Sequence, residues 1–272
     1  MLITTITSIK DGSYFYFKNN YPIHTKIKQG IQFDYEVGVK EFYSVILFVK
    51  NFILSFFKRY FIKNDNAPKK IEKNTRVIIF IHGLGGGSFC FVPFAKLLKT
   101  AGIENVYAID YRRSSQDEIP ANLLNDLIKK IAKNSFDSGA KQLDVALVGH
   151  SLGGAIGYKY IWGDFKNKNV KVSMLISLAG LLKYKANKFS WLTSFFEKEL
   201  SSIYERFKKS PNKALLYTIR GDNDELIHKD SAHIQNDNNK EFTIENIAHG
   251  GIANSKITQD LVTKLIKKWQ QK

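Results

Sequence analysis

Asp144-Val145-Ala146-Leu147-Val148-Gly149-His150-Ser151-Leu152-Gly153-Gly154 is the stretch that decides how this chain folds. An apolar run of strand length passes through Gly-x-Ser-x-Gly into Leu152–Trp162, which reads as a helix. When a strand turns straight into a helix, the backbones two residues before and two residues after the apex nearly touch. Only small residues fit there, and the serine is held out above the sheet edge. The first N–H groups of the helix point at the same spot. A Gly-rich strand–helix turn with no chemical role is the bland alternative. The placement between a buried strand and a helix favours the nucleophile reading.

Working outward, further apolar runs occur at Val77–Ile81, Val106–Ile109, Val172–Leu178, Leu215–Ile219 and Phe242–Ile247. Continuous rather than alternating runs suit parallel strands covered on both faces. Helical patterns lie between them. Pro120 stands at a helix start ahead of Leu123, Leu124, Leu127, Ile128 and Ile131, and the C-terminal stretch sets Ile257, Leu261, Leu265 and Trp269 on one face. This β-α alternation predicts an α/β fold with a doubly wound, mostly parallel sheet.

A second glycine-rich loop, His82-Gly83-Leu84-Gly85-Gly86-Gly87, follows Val77–Ile81. Acyl transfer needs two N–H donors aimed at the developing oxyanion. The residue after the nucleophile, Leu152, offers one, and Leu84 in this loop offers the other. A Walker loop would end in Gly-Lys-Ser/Thr, whereas this one runs Gly87-Ser88-Phe89. A dinucleotide site would want an acid after the next strand, and Asp110 sits there, so that reading is a minor competitor.

A serine nucleophile needs a base, and six histidines are available. His82 and His150 belong to the glycine motifs and read as structural neighbours. His24 lies in the N-terminal part. His228 and His233 follow the preceding apolar run too closely to leave a later loop for the base. His249 comes after Phe242–Ile247 and before Gly250-Gly251, giving the order Ser, Asp, His. The acid belongs in Arg220-Gly221-Asp222-Asn223-Asp224-Glu225-Leu226-Ile227. Asp224 is preferred over Asp222, because Leu226-Ile227 would pin the loop and bury its carboxylate beside the base.

With these motifs in hand, residues 77 to about 270 resemble the small bacterial lipases of the lipase class 2 group, which are minimal α/β hydrolases. The matching stretches are His82-Gly83-Leu84-Gly85-Gly86 with Ser88-Phe89, Tyr107-Ala108-Ile109-Asp110, Gly149-His150-Ser151-Leu152-Gly153-Gly154, Asp222 to Ile227, and Ala248-His249-Gly250-Gly251. The resemblance implies a triad of Ser151, Asp224 and His249, oxyanion donors at Leu84 and Leu152, and hydrolysis of carboxylic esters, often acylglycerols. It implies no cofactor and no metal. A thioesterase or acyltransferase on the same triad, or a binding member of the fold without activity, are the competing readings.

Two segments depart from the minimal enzymes. Residues 1–70 form an N-terminal appendage ahead of the catalytic domain at 71–272. The appendage reads as a hairpin over Met1–Lys18 with its turn at Asp11-Gly12, then a hydrophobic helix at 42–62, then a lysine-rich linker. A helix of that span would be roughly 30 Å long, enough for a hydrocarbon core. Lys50 near its middle favours lying in the membrane plane over spanning, and packing of the wide apolar face against the catalytic domain is the alternative to both. The second departure, 187–209, carries Trp191, Leu192, Phe195, Phe196, Leu200, Ile203, Tyr204 and Phe207 at helical spacing. It reads as a core-packing amphipathic helix, with a lid over the site as the alternative.

Bulk properties add bounds. The chain has 272 residues and a formal charge of +16. That charge is either a lysine-rich solvated surface or attraction to an anionic partner. No nucleic-acid motif accompanies it, so the membrane is the better anionic partner and nucleic acid is not expected. Cys90 is the single cysteine, which fits a reducing compartment. The first ten residues lack the pattern of a cleaved signal peptide. The expected location is the cytoplasm or the cytoplasmic side of a membrane.

Overall fold

The computed structural model describes residues 76–84, 86–111, 118–163, 165, 167–183, 197–209, 214–234 and 239–271. The expected hairpin at 1–18, the helix at 42–62, the linker and residues 187–196 lie outside these. Among the described residues no helix is long and apolar enough to cross a membrane.

The chain alternates strand and helix. β1 (Arg76–Ile81) leads through a 3₁₀ turn (Ser88–Phe91) into α1 (Val92–Thr100), followed by β2 (Val106–Ile109) and α2 (Glu118–Asp137). Then come β3 (Leu143–His150), α3 (Leu152–Trp162), β4 (Val170–Leu178), α4 (Glu197–Lys209) and β5 (Leu215–Gly221). The short α5 (Lys229–Ala232), β6 (Asn239–Ile244) and α6 (Lys256–Gln270) complete it. The strands form one sheet in the order β2-β1-β3-β4-β5-β6, every pair parallel. The expected doubly wound α/β sheet is the observed one.

Burial on both faces explains the continuous apolar runs. Val77, Ile79, Ile81, Leu147 and Leu175 face α2, α3 and α4, while Ile78, Phe80, Val148 and Ile176 face α1 and α6. Chain order reverses between β1 and β3: β1 continues outward to β2, and β3 continues the other way to β4. The loops leaving β1 and β3 therefore diverge and open a crevice at their C-terminal ends, the usual ligand position of such sheets.

One sequence expectation needs correction. The last strand is Asn239–Ile244, not Phe242–Ile247. It is an edge strand with exposed polar residues at Lys240 and Glu241, and the chain leaves it through Asn246 at φ 59. The final helix buries Thr258, Val262, Leu265, Ile266 and Trp269, and Ile257 and Leu261 pack partly buried against the same core, as the expected face has them. Its start is set by Ser255, whose hydroxyl accepts from the Thr258 N–H.

Of the segment 187–209, residues 197–209 are described. That part, α4, packs on α3: Phe207 meets Trp162 edge-on at 4.9 Å and Tyr158 at 5.7 Å, and Ile203 is buried beside them. Phe207→Ala should therefore lower unfolding stability by about 3–5 kcal/mol, read from urea denaturation, and leave KM unchanged. A lid would give the reverse pattern, with stability kept and KM altered.

Candidate active site

The turn at Ser151 is as tight as the motif demands. Ser151 adopts φ 53 and ψ −120, a region that non-glycine residues occupy only under constraint. A Cβ on Gly149 would stand 2.3 Å from the Gly153 carbonyl oxygen, and one on Gly153 would stand 2.0 Å from the Ile81 carbonyl oxygen. Both glycines are thus required by contact, the first within the turn and the second against β1. A Cβ on Gly83 would come within 3.0 Å of the Ser151 Cβ, so the loop after β1 lies directly beside the serine.

Three side chains converge there from separate elements. The Ser151 hydroxyl lies 2.9 Å from His249 Nε2, and His249 Nδ1 lies 2.8 Å from Asp224 Oδ2. The Asp224 and His249 side chains are only 2% and 8% exposed. A carboxylate only accepts, so the His249 proton sits on Nδ1, and Nε2 is free to accept from the serine hydroxyl. Asp224 Oδ1 accepts from the N–H groups of Leu226 and Ile227 at 3.0 and 2.9 Å. Both carboxylate oxygens are thereby held. Asp222 is exposed and takes another role, with Oδ1 3.4 Å from the Ile247 N–H.

The remaining candidates are placed as follows. Leu152 is the first residue of α3, where N–H groups have no intrahelical acceptor. Leu84 is 47% exposed and stands within a turn closed by Gly86 N–H to Gly83 O at 3.1 Å. Asp110, weighed as a ribose-binding acid, instead clamps this loop: it accepts from the Ser88 N–H at 2.5 Å and the Ser88 hydroxyl at 2.7 Å. His82 holds the loop from beneath. Its Nε2 accepts from the Tyr111 N–H at 3.1 Å, leaving Nδ1–H to donate to the Gly83 carbonyl at 2.8 Å. Its ring stacks on Tyr111 at 4.0 Å. Burial lowers the pKa of His82, consistent with this neutral form. The Asp110 clamp joins residues 22 apart, and nothing in the local pattern signals it.

A family model, described as serine aminopeptidase, S33, matches residues 72–256. The chain belongs to this family. It is an α/β hydrolase, and two solved structures support the fold. A bromoperoxidase from Bacillus anthracis is 14% identical, with TM-score 0.52 over 72% of this chain and 93% of that one. A Pyrococcus furiosus esterase is 19% identical, with TM-score 0.51 over 72% of this chain and 82% of that one.

One more histidine of the hydrolase borders the site. His150 Nε2 lies 3.2 Å from the His249 carbonyl oxygen, and the two rings are 5.2 Å apart. Burial, and then the neighbouring His249, push the pKa of His150 from 6.5 down to about 3. Between these values the unfolded chain binds a proton that the folded chain refuses, so this contribution to stability falls as pH drops below 6.5. From about pH 7 to about pH 5, the wild type should lose about 2 kcal/mol more unfolding stability than His150→Gln. Urea titrations at both values read the difference, and parallel losses would mean that His150 is not held neutral.

Proposed function

We propose that the hydrolase cleaves carboxylic esters through a Ser151–His249–Asp224 triad and an acyl-enzyme. The unbroken hydrogen-bonded chain from the serine hydroxyl to a buried carboxylate carries this reading. As Ser151 Oγ bonds to the ester carbon, its proton passes to His249 Nε2. The carbonyl oxygen becomes an oxyanion, received by the N–H groups of Leu152 and Leu84. Asp224 keeps the imidazole in its tautomer and stabilises the imidazolium. When the tetrahedral adduct collapses, the carbon–oxygen bond to the alcohol breaks, and His249 gives its proton to the departing alkoxide. Water then gives a proton to His249 and bonds to the acyl carbon. Ser151 leaves with that proton, and the free acid departs.

The surroundings favour an apolar acyl group. Leu152 and Leu226 are half-buried against a small cluster of Leu181, Ile227, Ala155 and Ala232, and Leu84 adds its exposed side chain across the crevice. Lipid acyl esters fall within this class. The same triad could serve thioesters or amides, or transfer the acyl group to another acceptor. A panel of nitrophenyl esters of rising chain length, acyl thioesters and aminoacyl anilides separates these by their relative kcat/KM.

Ser151→Ala should lower ester turnover by about 10³-fold or more and abolish labelling by a fluorophosphonate, while the far-ultraviolet dichroism stays unchanged. Near-normal turnover by the folded variant ends the proposal.

The acids give a second test. Asp224→Asn should cost about 10³–10⁴-fold in kcat, because the amide no longer fixes the base's tautomer. Asp222→Asn should stay within about threefold of the wild type, as expected for a surface carboxylate outside the triad. The reverse order moves the acid to Asp222.

A further inference from the structure

In an all-parallel α/β sheet, strand starts and helix ends gather at one end of the domain, opposite the crevice. Here that end is basic. Lys99, near the end of α1, Lys133 in the last part of α2, and Lys267 and Lys268 in the last turn of α6 are all exposed. Lys141 and Lys168 are exposed in the turns that lead into β3 and β4. Among the described residues none of the six forms an ion pair. The exposed acids at this end are, among the described residues, Glu104, Asp137 and Glu205, and Glu205 is paired with Lys208. The crevice end carries, among the described residues, the exposed acids Asp110, Asp222 and Glu225 around the site, beside Lys183 and Lys229.

Lysines at helix C-termini complement the helix dipole. That accounts for Lys99, Lys267 and Lys268, but not for Lys141 and Lys168, which sit in turns. A second observation concerns the chain path. β1 starts at this same basic end, where Arg76 lies 3.7 Å from Asp144 and donates to the Trp269 carbonyl at 2.8 Å. The sequence arriving there contains Lys63, Lys69, Lys70 and Lys73, and before them the apolar stretch 42–62.

We propose that the end of the hydrolase domain opposite Ser151 docks on an anionic membrane surface, with the active site turned towards water. Charge complementarity supplies the attraction, adding with each lysine that reaches the lipid headgroups and fading within a Debye length. Nucleic acid is the competing polyanion. The apolar stretch 42–62 that precedes β1 in the sequence favours lipid, since such a composition suits a bilayer and not a phosphate backbone. The orientation rests on the reading of Ser151 as the reactive centre; the docking does not. Its consequence is a choice of substrate route: esters reach the site from the aqueous side rather than from the bilayer beneath.

The experiment is flotation of the full chain with phosphatidylcholine vesicles and with vesicles that also contain phosphatidylglycerol. The wild type should bind only the second kind at low salt through this end, with binding weakened by added salt. A charge-reversed variant, K133E/K141E/K168E/K267E/K268E, should lose about tenfold or more of that binding. Reversal of Lys183 and Lys229, which lie at the crevice end, should leave it within about twofold. If the quintuple variant does not melt cooperatively, the corresponding Lys→Gln series reads the same loss. Unchanged binding in the reversed or neutralised variants overturns the proposal. So does tight binding of an RNA or DNA duplex that displaces the vesicles. Turnover of a water-soluble ester should persist on vesicle-bound protein, and its selective loss on binding would overturn the orientation. Absence of turnover both free and bound would count against the ester reading alone, since flotation reads docking without it.

Discussion

The backbone of Gly153 against the carbonyl of Ile81 is the contact on which the site depends. It brings the nucleophile's helix against β1 at a separation that admits no side chain. This close approach fixes how far Ser151 stands from the loop after β1. It also stores the distortion that Ser151 carries at φ 53, because the turn cannot relax without pushing α3 off the sheet. The paired register of β1 and β3, Ile81 opposite Gly149, places the starts of both loops level. Asp110 and His82 then tie the β1 loop down from the β2 side, one by gripping Ser88 and the other by holding the Gly83 carbonyl. The side of the crevice formed by the β1 loop is therefore held by backbone contacts and short polar ties.

Much of this was legible in the sequence where one physical demand dominates a segment. β1, β2 and β4 are buried on both faces, and their apolar runs read directly. The glycines at 149 and 153 mark the elbow because nothing larger fits. Asp224 could be separated from Asp222 because Leu226 and Ile227 had to anchor the loop, and their N–H groups do hold its carboxylate. β6 was misplaced because an edge strand is half solvated, so its polar start looks like loop. The buried stripe on α6 is wider than the apolar pattern because Thr258 and Gln259 are buried polar residues that such a pattern skips. The Asp110 clamp and the His82 tie were unreadable because they are relations between loops 22 and 29 residues apart.

The site also shows how one residue type is kept in separate states. His82, His150 and His233 all have their pKa values lowered chiefly by burial, the last to about 4. His233 accepts from the Arg220 guanidinium at 2.9 Å, which requires a neutral ring. His82 likewise accepts at a ring nitrogen, from the Tyr111 N–H, which suits the uncharged form. His249 alone among these has a carboxylate at hydrogen-bonding distance from Nδ1, ready to balance a positive ring. On the proposed mechanism the neighbouring His82 and His150 act as fixed dipoles, and the charge that moves is confined to the His249 ring.

His249 follows an edge strand that pairs only with β5, and it meets a serine 98 residues earlier in the chain. A chain emerging during synthesis can lay down β1, β3 and the elbow with no base present. The hydroxyl stays an ordinary alcohol until β6 docks and α6 closes behind it. Contacts of such long sequence separation close late, after local ones have formed. With Ser151 as the proposed nucleophile, its activation waits on this long-range contact, and an unfinished chain that lacks β6 and His249 would carry only an ordinary alcohol.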